Sequence, residues 1–362
     1  MKINFFKYFI FFLGILFSLI IYLSVVGIET EKFNKQIKDK IIKTNKNLDL
    51  ELNKIKLSLD PLNFKINLKT IGTTIFYSKK PLQLEYIQTQ ISLVSLFKNK
   101  FISSNLEIST KSIMLKDLIR FLRATNNTPQ LFVFEKIIKK GHVILKLNLH
   151  FDENGNIKND YRIKGLLKDG KIDLLKNNIF ENINFNFDLY KNNYLFQNIK
   201  FSANKINFIS ELLNIKKKKD SFLVEGSFEN SKSILDKNFL KLLKVDIKNL
   251  DLENINFTSK NKFSLEIDNK LNFKNHILNS DVTIDQIKYQ KIDLINNYFP
   301  DINEIILLKN QKLKIEYSKK NLSVKGKGEI KVEKKFNEIE YSIYKDKNDL
   351  KFKSNLNLDS IN

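Results

Sequence analysis

Apolar and polar residues alternate along most of the chain after residue 47. The first example is LDLELN at 48–53, where three leucines alternate with acidic and amide residues. A period of two is typical of a β-strand with one apolar and one polar face. The repeated pattern predicts a shared apolar face formed by Leu48, Leu50, Leu52, Leu57, Leu59, Phe64, Ile66, Leu68, Val143, Leu145, Leu147, Leu149, Ile183, Phe185, Phe187, Phe222, Val224, Phe228, Phe263, Leu265 and Ile267.

The clearest predicted hairpin lies between residues 143 and 167. The strand VILKLNLHF is followed by DENGN, whose Asn154-Gly155 pair suits a type I′ turn. The return strand alternates again from Ile157 onward. DENGN lacks the ligand spacing of a calcium-binding loop, so the turn interpretation is preferred.

Helical patterns interrupt the alternation at only a few places. They are predicted at 112–124, 208–215, 231–244 and 291–299, and Ser231 or Ser233 is a plausible N-cap for the third. The fold class predicted for 48–362 is therefore mainly β, with a few short helices. A sandwich, a closed barrel or a curled antiparallel sheet could each cover the apolar face.

The N-terminus has a different pattern, because residues 8–28 carry no charge. At about 1.5 Å per residue, this helix would be about 31 Å long and could span a bilayer. A cleavable signal peptide is the alternative, but its apolar region is usually shorter. We predict a membrane anchor within 1–28, with contacts from Tyr8, Phe12, Leu16, Ile20, Leu23 and Ile28.

Residues 29–47 are predicted to form an amphipathic helix, since Phe33, Ile37 and Ile41 recur at four-residue spacing.

More lysines follow the apolar segment than precede it, so the positive-inside rule places the body in the cytoplasm. Large domains can nevertheless translocate largely regardless of charge. The residues alone leave the side of the membrane open.

Composition narrows the possible functions. The chain has no cysteine, which excludes disulfides and thiolate metal sites, and its net charge is +22. Most of that charge is lysine spread along the polar strand faces, and Lys216–Lys219 is the only tight cluster. Nucleic-acid binding is not expected, because the aromatic residues lie mainly on the opposite, apolar face.

No catalytic motif is found in the sequence, and we predict neither an enzyme nor a cofactor. His142 and His150 lie about 26 Å apart on one extended strand, too far to share a metal. His276 is expected in a polar turn, and the GKG at 326–328 lacks the remaining residues of a phosphate loop.

The order of these segments resembles the AsmA-like family of bacterial envelope proteins, which is related to TamB and more distantly to chorein-type bridge-like lipid-transfer proteins. The resemblance rests on the anchor, the amphipathic helix and the segments LDLELNKIKLSLDPLNFKINLKT, ISLVSLFKNKFISSNLEIS, LKDLIRFLRA and IKYQKIDLINNYFP…LKIEYSKKNLSVKGKGEI. It is a likeness of pattern over almost the whole chain.

The resemblance implies a single-pass inner-membrane protein with a periplasmic body. It also implies an elongated, curled, groove-like antiparallel sheet over 48–362 that carries phospholipid toward the outer membrane. This periplasmic location conflicts with the positive-inside rule, which places the body in the cytoplasm because more lysines follow the apolar segment than precede it. The second hypothesis is a structural or assembly factor of the envelope with a closed β core. That factor would bind a protein partner at the C-terminal sheet edge, since unpaired edges invite strand addition.

Overall fold

A computed structural model describes residues 2–94, 103–152, 156–174, 178–235, 250–251, 255–269, 272–290, 305–319, 321–332, 335–346 and 349–357. Within these ranges the protein is mainly β. All 21 strands belong to one open antiparallel sheet, which confirms the prediction of a mainly β chain with an antiparallel sheet. Four helices accompany it within the described ranges: α1 (Lys2–Val25), α2 (Asn34–Thr44), α3 (Leu115–Thr125) and α4 (Pro129–Ile137).

The described strands are numbered in chain order. The first nine are β1 (Ile28–Thr30), β2 (Leu48–Glu51), β3 (Lys54–Asp60), β4 (Lys65–Ile71), β5 (Thr73–Tyr77), β6 (Lys80–Ser92), β7 (Ser103–Thr110), β8 (Ile113–Met114) and β9 (Ile138–His150). The others are β10 (Arg162–Leu174), β11 (Asn178–Tyr190), β12 (Asn193–Ala203), β13 (Ile206–Lys217), β14 (Ser221–Ile234), β15 (Leu250–Asp251), β16 (Asn256–Asp268), β17 (Phe273–Gln290), β18 (Ile305–Ser318), β19 (Leu322–Val332), β20 (Lys335–Asp346) and β21 (Asp349–Asn357).

The chain divides into two compact units. Unit 1 contains Met1–Lys168 and Phe187–Lys191, and unit 2 contains Asp169–Asn186 and Asn192–Asn362. In unit 1 the long strand β6 pairs with β5 along its first half and with β4 along its second half. Its other edge pairs with β7, which in turn pairs with β9.

In unit 2 the strands pair in chain order. β12 pairs with β13, β13 with β14, β14 with β16, and β16 with β17. The order continues through β18, β19 and β20 to β21, while the short β15 pairs with the end of β17. Each of these pairings is antiparallel, and antiparallel neighbours such as β12 and β13 can be joined by a short turn.

The predicted anchor is a helix for most of its length. Residues 7–25 are apolar and long enough to cross a membrane, although a signal sequence near the N-terminus would have the same properties. Ile28 does not belong to this helix, contrary to the prediction, because it lies in β1 opposite Leu57. The helix ends at Val25, and Gly27, whose φ is +74°, lies just before β1.

The amphipathic helix is shorter than the predicted 29–47 and follows β1. Its Asn34 side chain donates hydrogen bonds to the carbonyl oxygens of Leu52 and Asn53, at 3.1 and 2.9 Å. Lys38 forms an ion pair with Asp49 of β2 at 3.2 Å. The helix is thus attached to the first strands by polar contacts at both ends of β2.

The other helix predictions have mixed outcomes. The prediction at 112–124 is confirmed by α3, but 208–215 lies wholly in β13, so that prediction is wrong. Residues 231–234 belong to β14, so neither Ser231 nor Ser233 caps a helix. Residues 236–249 and 291–304 lie outside the described ranges, as does the turn at 153–155, although its flanking strands β9 and β10 do pair.

Candidate functional site

The apolar residues of unit 2 share one face of the sheet. Cross-strand partners in an antiparallel ladder project to the same side. Ile215, Val224 and Leu265 are successive partners, and they continue to His276. A second row runs through Leu213, Gly226, Phe263, Leu278 and Tyr317.

These rows line a cavity of about 780 Å³. Among the predicted face residues, it is lined by Ile183, Phe185, Phe228, Phe263 and Leu265. Its volume is within the roughly 300–1,000 Å³ that is common for small-molecule sites. The structure adds residues that the sequence analysis did not place on this face: Phe196, Ile199, Phe201, Ser210, Leu213, Ile215, Ser227, Phe273, His276, Leu278 and Tyr317.

Aromatic rings pack against one another along this face. Phe185 and Phe196 meet edge to face with ring centroids 5.4 Å apart, and Phe228 and Phe263 lie 5.9 Å apart. Such pairs stabilise by about 0.5–1.5 kcal/mol beyond their buried area. The rings therefore form a well-defined apolar wall.

Beyond the cavity, the same face closes into a packed core. Its buried members are Ala203, Ile206, Phe208, Ile255, Phe257 and Ile284. Phe201 stacks on Phe208 at 5.1 Å and also lines the cavity, so the packed core and the cavity are continuous. One end of the face is filled by side chains and the other is open.

On β14 and β16, a polar layer lies between the residues that line the cavity and those of the packed core. Ser259 donates a hydrogen bond to Oδ1 of Asn230 at 2.5 Å, and Asn261 donates to Oγ of Ser259 at 2.9 Å. Asn230 also donates to the carbonyl oxygen of Phe257 at 3.3 Å. All three side chains are buried, and these bonds offset the cost of removing them from water.

His276 differs from its predicted position. It lies in β17 and lines the cavity, whereas a polar turn was expected. Its ring centroid is 4.9 Å from that of Tyr317, and its Nε2 is buried without a hydrogen-bond partner within the described structure. Buried polar atoms usually have a partner, so this nitrogen calls for an explanation.

Unit 1 has an apolar face of the same kind. Among the predicted residues, Leu57 pairs with Leu68 and Leu59 with Ile66. The predicted Leu149 pairs with Leu106, which lies on the same side. Further along the unit, Leu147 lies opposite Ile108, and the buried Val143 lies opposite Ile113. Leu48 and the buried Leu50 face Tyr77 and Ile75 across β2 and β5.

Two predicted face residues of unit 1 lie outside the strands. Phe64 lies in the turn between β3 and β4, with a φ of +51° and 66% of its surface exposed. Leu52 lies in the connection between β2 and β3. A third predicted residue, Phe187, does lie in a strand, β11. Its ring packs so closely over Gly165 that a Cβ added to this glycine would be 2.5 Å from the ring.

The opposite face carries cross-strand ion pairs rather than an apolar surface. Lys146 contacts Glu107 at 2.7 Å, and Lys327 contacts Glu340 at 3.2 Å. His150 contacts Asp160 at 3.2 Å, which agrees with its predicted place on the polar face. No cluster of three or more metal-binding side chains occurs among the described residues.

No protein-family model matches the chain, no curated protein matches it, and no solved structure matches it.

Proposed function

We propose that this chain is a membrane-anchored envelope protein that binds phospholipid on the apolar face of its sheet and conducts or holds it between the inner and outer membranes. The observation that carries the proposal is the cavity of about 780 Å³ in unit 2, whose lining is almost entirely apolar. Membership in the AsmA-like family, the groove character of the face and the periplasmic location of the body belong to the same proposal.

The physical basis is transfer of acyl chains from a bilayer to a protein surface of similar polarity. Each methylene kept out of water contributes about 0.8 kcal/mol, so a 16-carbon chain on this face would avoid a cost on the order of 12 kcal/mol. Apolar contact is non-directional, so an acyl chain can move along such a face. The proposed activity needs no catalytic residue and no cofactor.

Site-specific photocrosslinking tests the proposal in the full chain. A benzophenone amino acid at Leu147 or Phe185 is expected to capture phospholipid, because both residues lie on the apolar face. The controls are the next residues on the polar face, Lys146 and Asn186, where we expect at least a tenfold lower yield. Capture is identified by mass spectrometry of the adduct, and equal labelling on the two faces would refute the proposal.

A structural or assembly factor remains the second candidate. The observation that favours it is the packed core around Phe208 and Phe257, where side chains fill the apolar face without a ligand. If this function is correct, crosslinkers at Phe185 capture protein or nothing instead of lipid. A protein partner would then be sought at the outer edge of β21.

A further inference from the structure

One wall of the apolar cavity contains a hydrogen-bonding group that no described residue satisfies. The imidazole of His276 lines the cavity, and its Nε2 is buried without a partner in the described part of the chain. Its cross-strand partner on β16 is the apolar Leu265. A purely apolar ligand would leave this nitrogen unsatisfied, whereas a ligand with one polar end would not.

A lysine lies next to His276, just past the end of the neighbouring strand β18. The last β17–β18 pair is Ile277 with Ser318, so the register places Lys319 across from His276. Its Nζ donates one long hydrogen bond, 3.4 Å, to the carbonyl oxygen of Lys274. An ammonium group has three donors, so this weak contact leaves donors for an anion.

From these two residues we infer that His276 and Lys319 bind the headgroup phosphate of a phospholipid whose acyl chain occupies the cavity. A phosphate oxygen accepts hydrogen bonds from the imidazole N–H and from the lysine ammonium, and hydrogen bonds to an ionised acceptor are the stronger kind. The inference rests on the proposed function and adds to it the chemistry of the headgroup and the end of the cavity where it lies.

The Tyr317 ring covers the imidazole and must move aside for this contact. Its centroid is 4.9 Å from that of His276, and 45% of the residue surface is exposed. Exposed aromatic side chains change rotamer rapidly, on the picosecond to nanosecond scale. Tyr317 also lines the cavity, so its ring can pack on the acyl chain after it has moved.

The test compares two lipids that share their acyl chains and differ in the phosphate. The full chain, purified in a detergent that lacks phosphate and carrying a benzophenone at Phe185, receives an equimolar mixture of phosphatidylglycerol and diacylglycerol. Mass spectrometry measures the ratio of the two captured lipids. We expect phosphatidylglycerol to dominate in the otherwise unchanged chain.

Variants assign that preference to the two residues. His276→Phe should lower the ratio of captured phosphatidylglycerol to captured diacylglycerol roughly tenfold. His276→Gln retains a hydrogen-bond donor and should keep most of the preference for phosphatidylglycerol. Lys319→Gln should lower the ratio roughly twofold to fivefold. The matched control is Lys314→Gln, because Lys314 lies in β18, five positions before Lys319, but on the polar face. The capture ratio of this variant should not change.

The outcomes separate this inference from the proposed function. Lipid capture with a ratio that His276→Phe and Lys319→Gln leave unchanged overturns the headgroup site while the proposed function stands. Equal loss of preference in Lys314→Gln also overturns it, because a general charge effect would then be responsible. Absence of captured lipid in every protein overturns the proposed function itself.

Discussion

Tyr86, Glu107 and Lys146 form one hydrogen-bonded group on the polar face of unit 1. The Tyr86 hydroxyl donates to Oε1 of Glu107 at 2.6 Å, and the Lys146 ammonium contacts the same oxygen at 2.7 Å. Partial burial opposes ionisation of Glu107, but the hydrogen bonds from Lys146 and Tyr86 outweigh it and hold the pKa of Glu107 below its usual value. The carboxylate therefore stabilises the pairing of β6, β7 and β9.

The lowered pKa predicts a dependence of stability on pH. A carboxyl group whose pKa is lowered by folding stabilises the folded state above its unfolded value of about 4.5. That contribution is lost as the pH falls through the lowered pKa of the folded state. At pH 7, Glu107→Gln should therefore reduce the opening free energy of the β7 and β9 amides by about 1 kcal/mol, measured by hydrogen exchange.

The difference between Glu107→Gln and the unchanged chain should shrink as the pH falls through the lowered pKa of Glu107, because the native carboxyl then becomes protonated. Glu225→Gln is the control, since Glu225 forms only an exposed pair with Lys216 at 3.6 Å. A constant difference at all pH values would contradict the assignment to ionised Glu107.

Single residues also show where sequence reasoning is weakest. Alternation placed Phe64 on the apolar face, but it occupies a turn with positive φ, because the β3–β4 turn spans residues 61–64. The polar neighbours of His276 suggested a turn, but His276 lies within β17 and pairs with Leu265 of β16. A period of two cannot distinguish the last residue of a strand from the first residue of a turn.

At the scale of the elements, Gly27 joins the apolar helix to the sheet. Its φ is +74°, and a Cβ added there would lie 2.4 Å from the carbonyl oxygen of Leu57. Both features favour glycine, which tolerates positive φ and lets β1 approach β3. The connection between the helix and the first strands therefore depends on this one position.

Gly27→Ala is expected to destabilise the pairing of β1 with β3 by roughly 1–3 kcal/mol, because the new Cβ clashes with backbone at a strained φ. Limited trypsin digestion should then cleave faster at Lys32 and Lys35. Gly14→Ala is the control, since Gly14 in α1 has open space around it. Equal cleavage rates in Gly27→Ala and the unchanged chain would show that the close approach is not required.

The strand at 206–217 explains why one helix prediction failed. The β13–β14 register shifts between Ile209 and Leu213. Phe208 and Leu213 therefore face the same side although they are five positions apart, an odd number. On the neighbouring strand, Asn198 has a φ of +54° at the matching position. Such an irregularity breaks the period of two and gives apolar spacings that resemble those of a helix.

At the scale of the whole molecule, the class of fold was predictable and the cavity was not. Alternation is local, so it identified most strands and the residues that share a face. The cavity depends on which strands become neighbours, as when Phe185 of β11 meets Phe196 of β12. The polar layer of Asn230, Ser259 and Asn261 also depends on register, which the sequence pattern does not contain.

The proposed periplasmic location of the body gives a whole-molecule prediction. The chain has no cysteine, so a single introduced thiol reports its own side of the membrane. In intact inner-membrane preparations, Lys217→Cys should react with a membrane-impermeant maleimide added from the periplasmic side. Lys2→Cys should react only after the membrane is permeabilised, and the reverse pattern would place the body in the cytoplasm, as the lysine count suggests.

The pairing of successive strands in unit 2 has a consequence for how this protein is made. Because β12, β13 and β14 pair in chain order, each new strand needs only the edge left by the strand before it. Short connections keep the loop-closure entropy small, and contacts close in sequence form fast. A chain that emerges progressively during synthesis can therefore build this part of the sheet without waiting for distant segments to emerge.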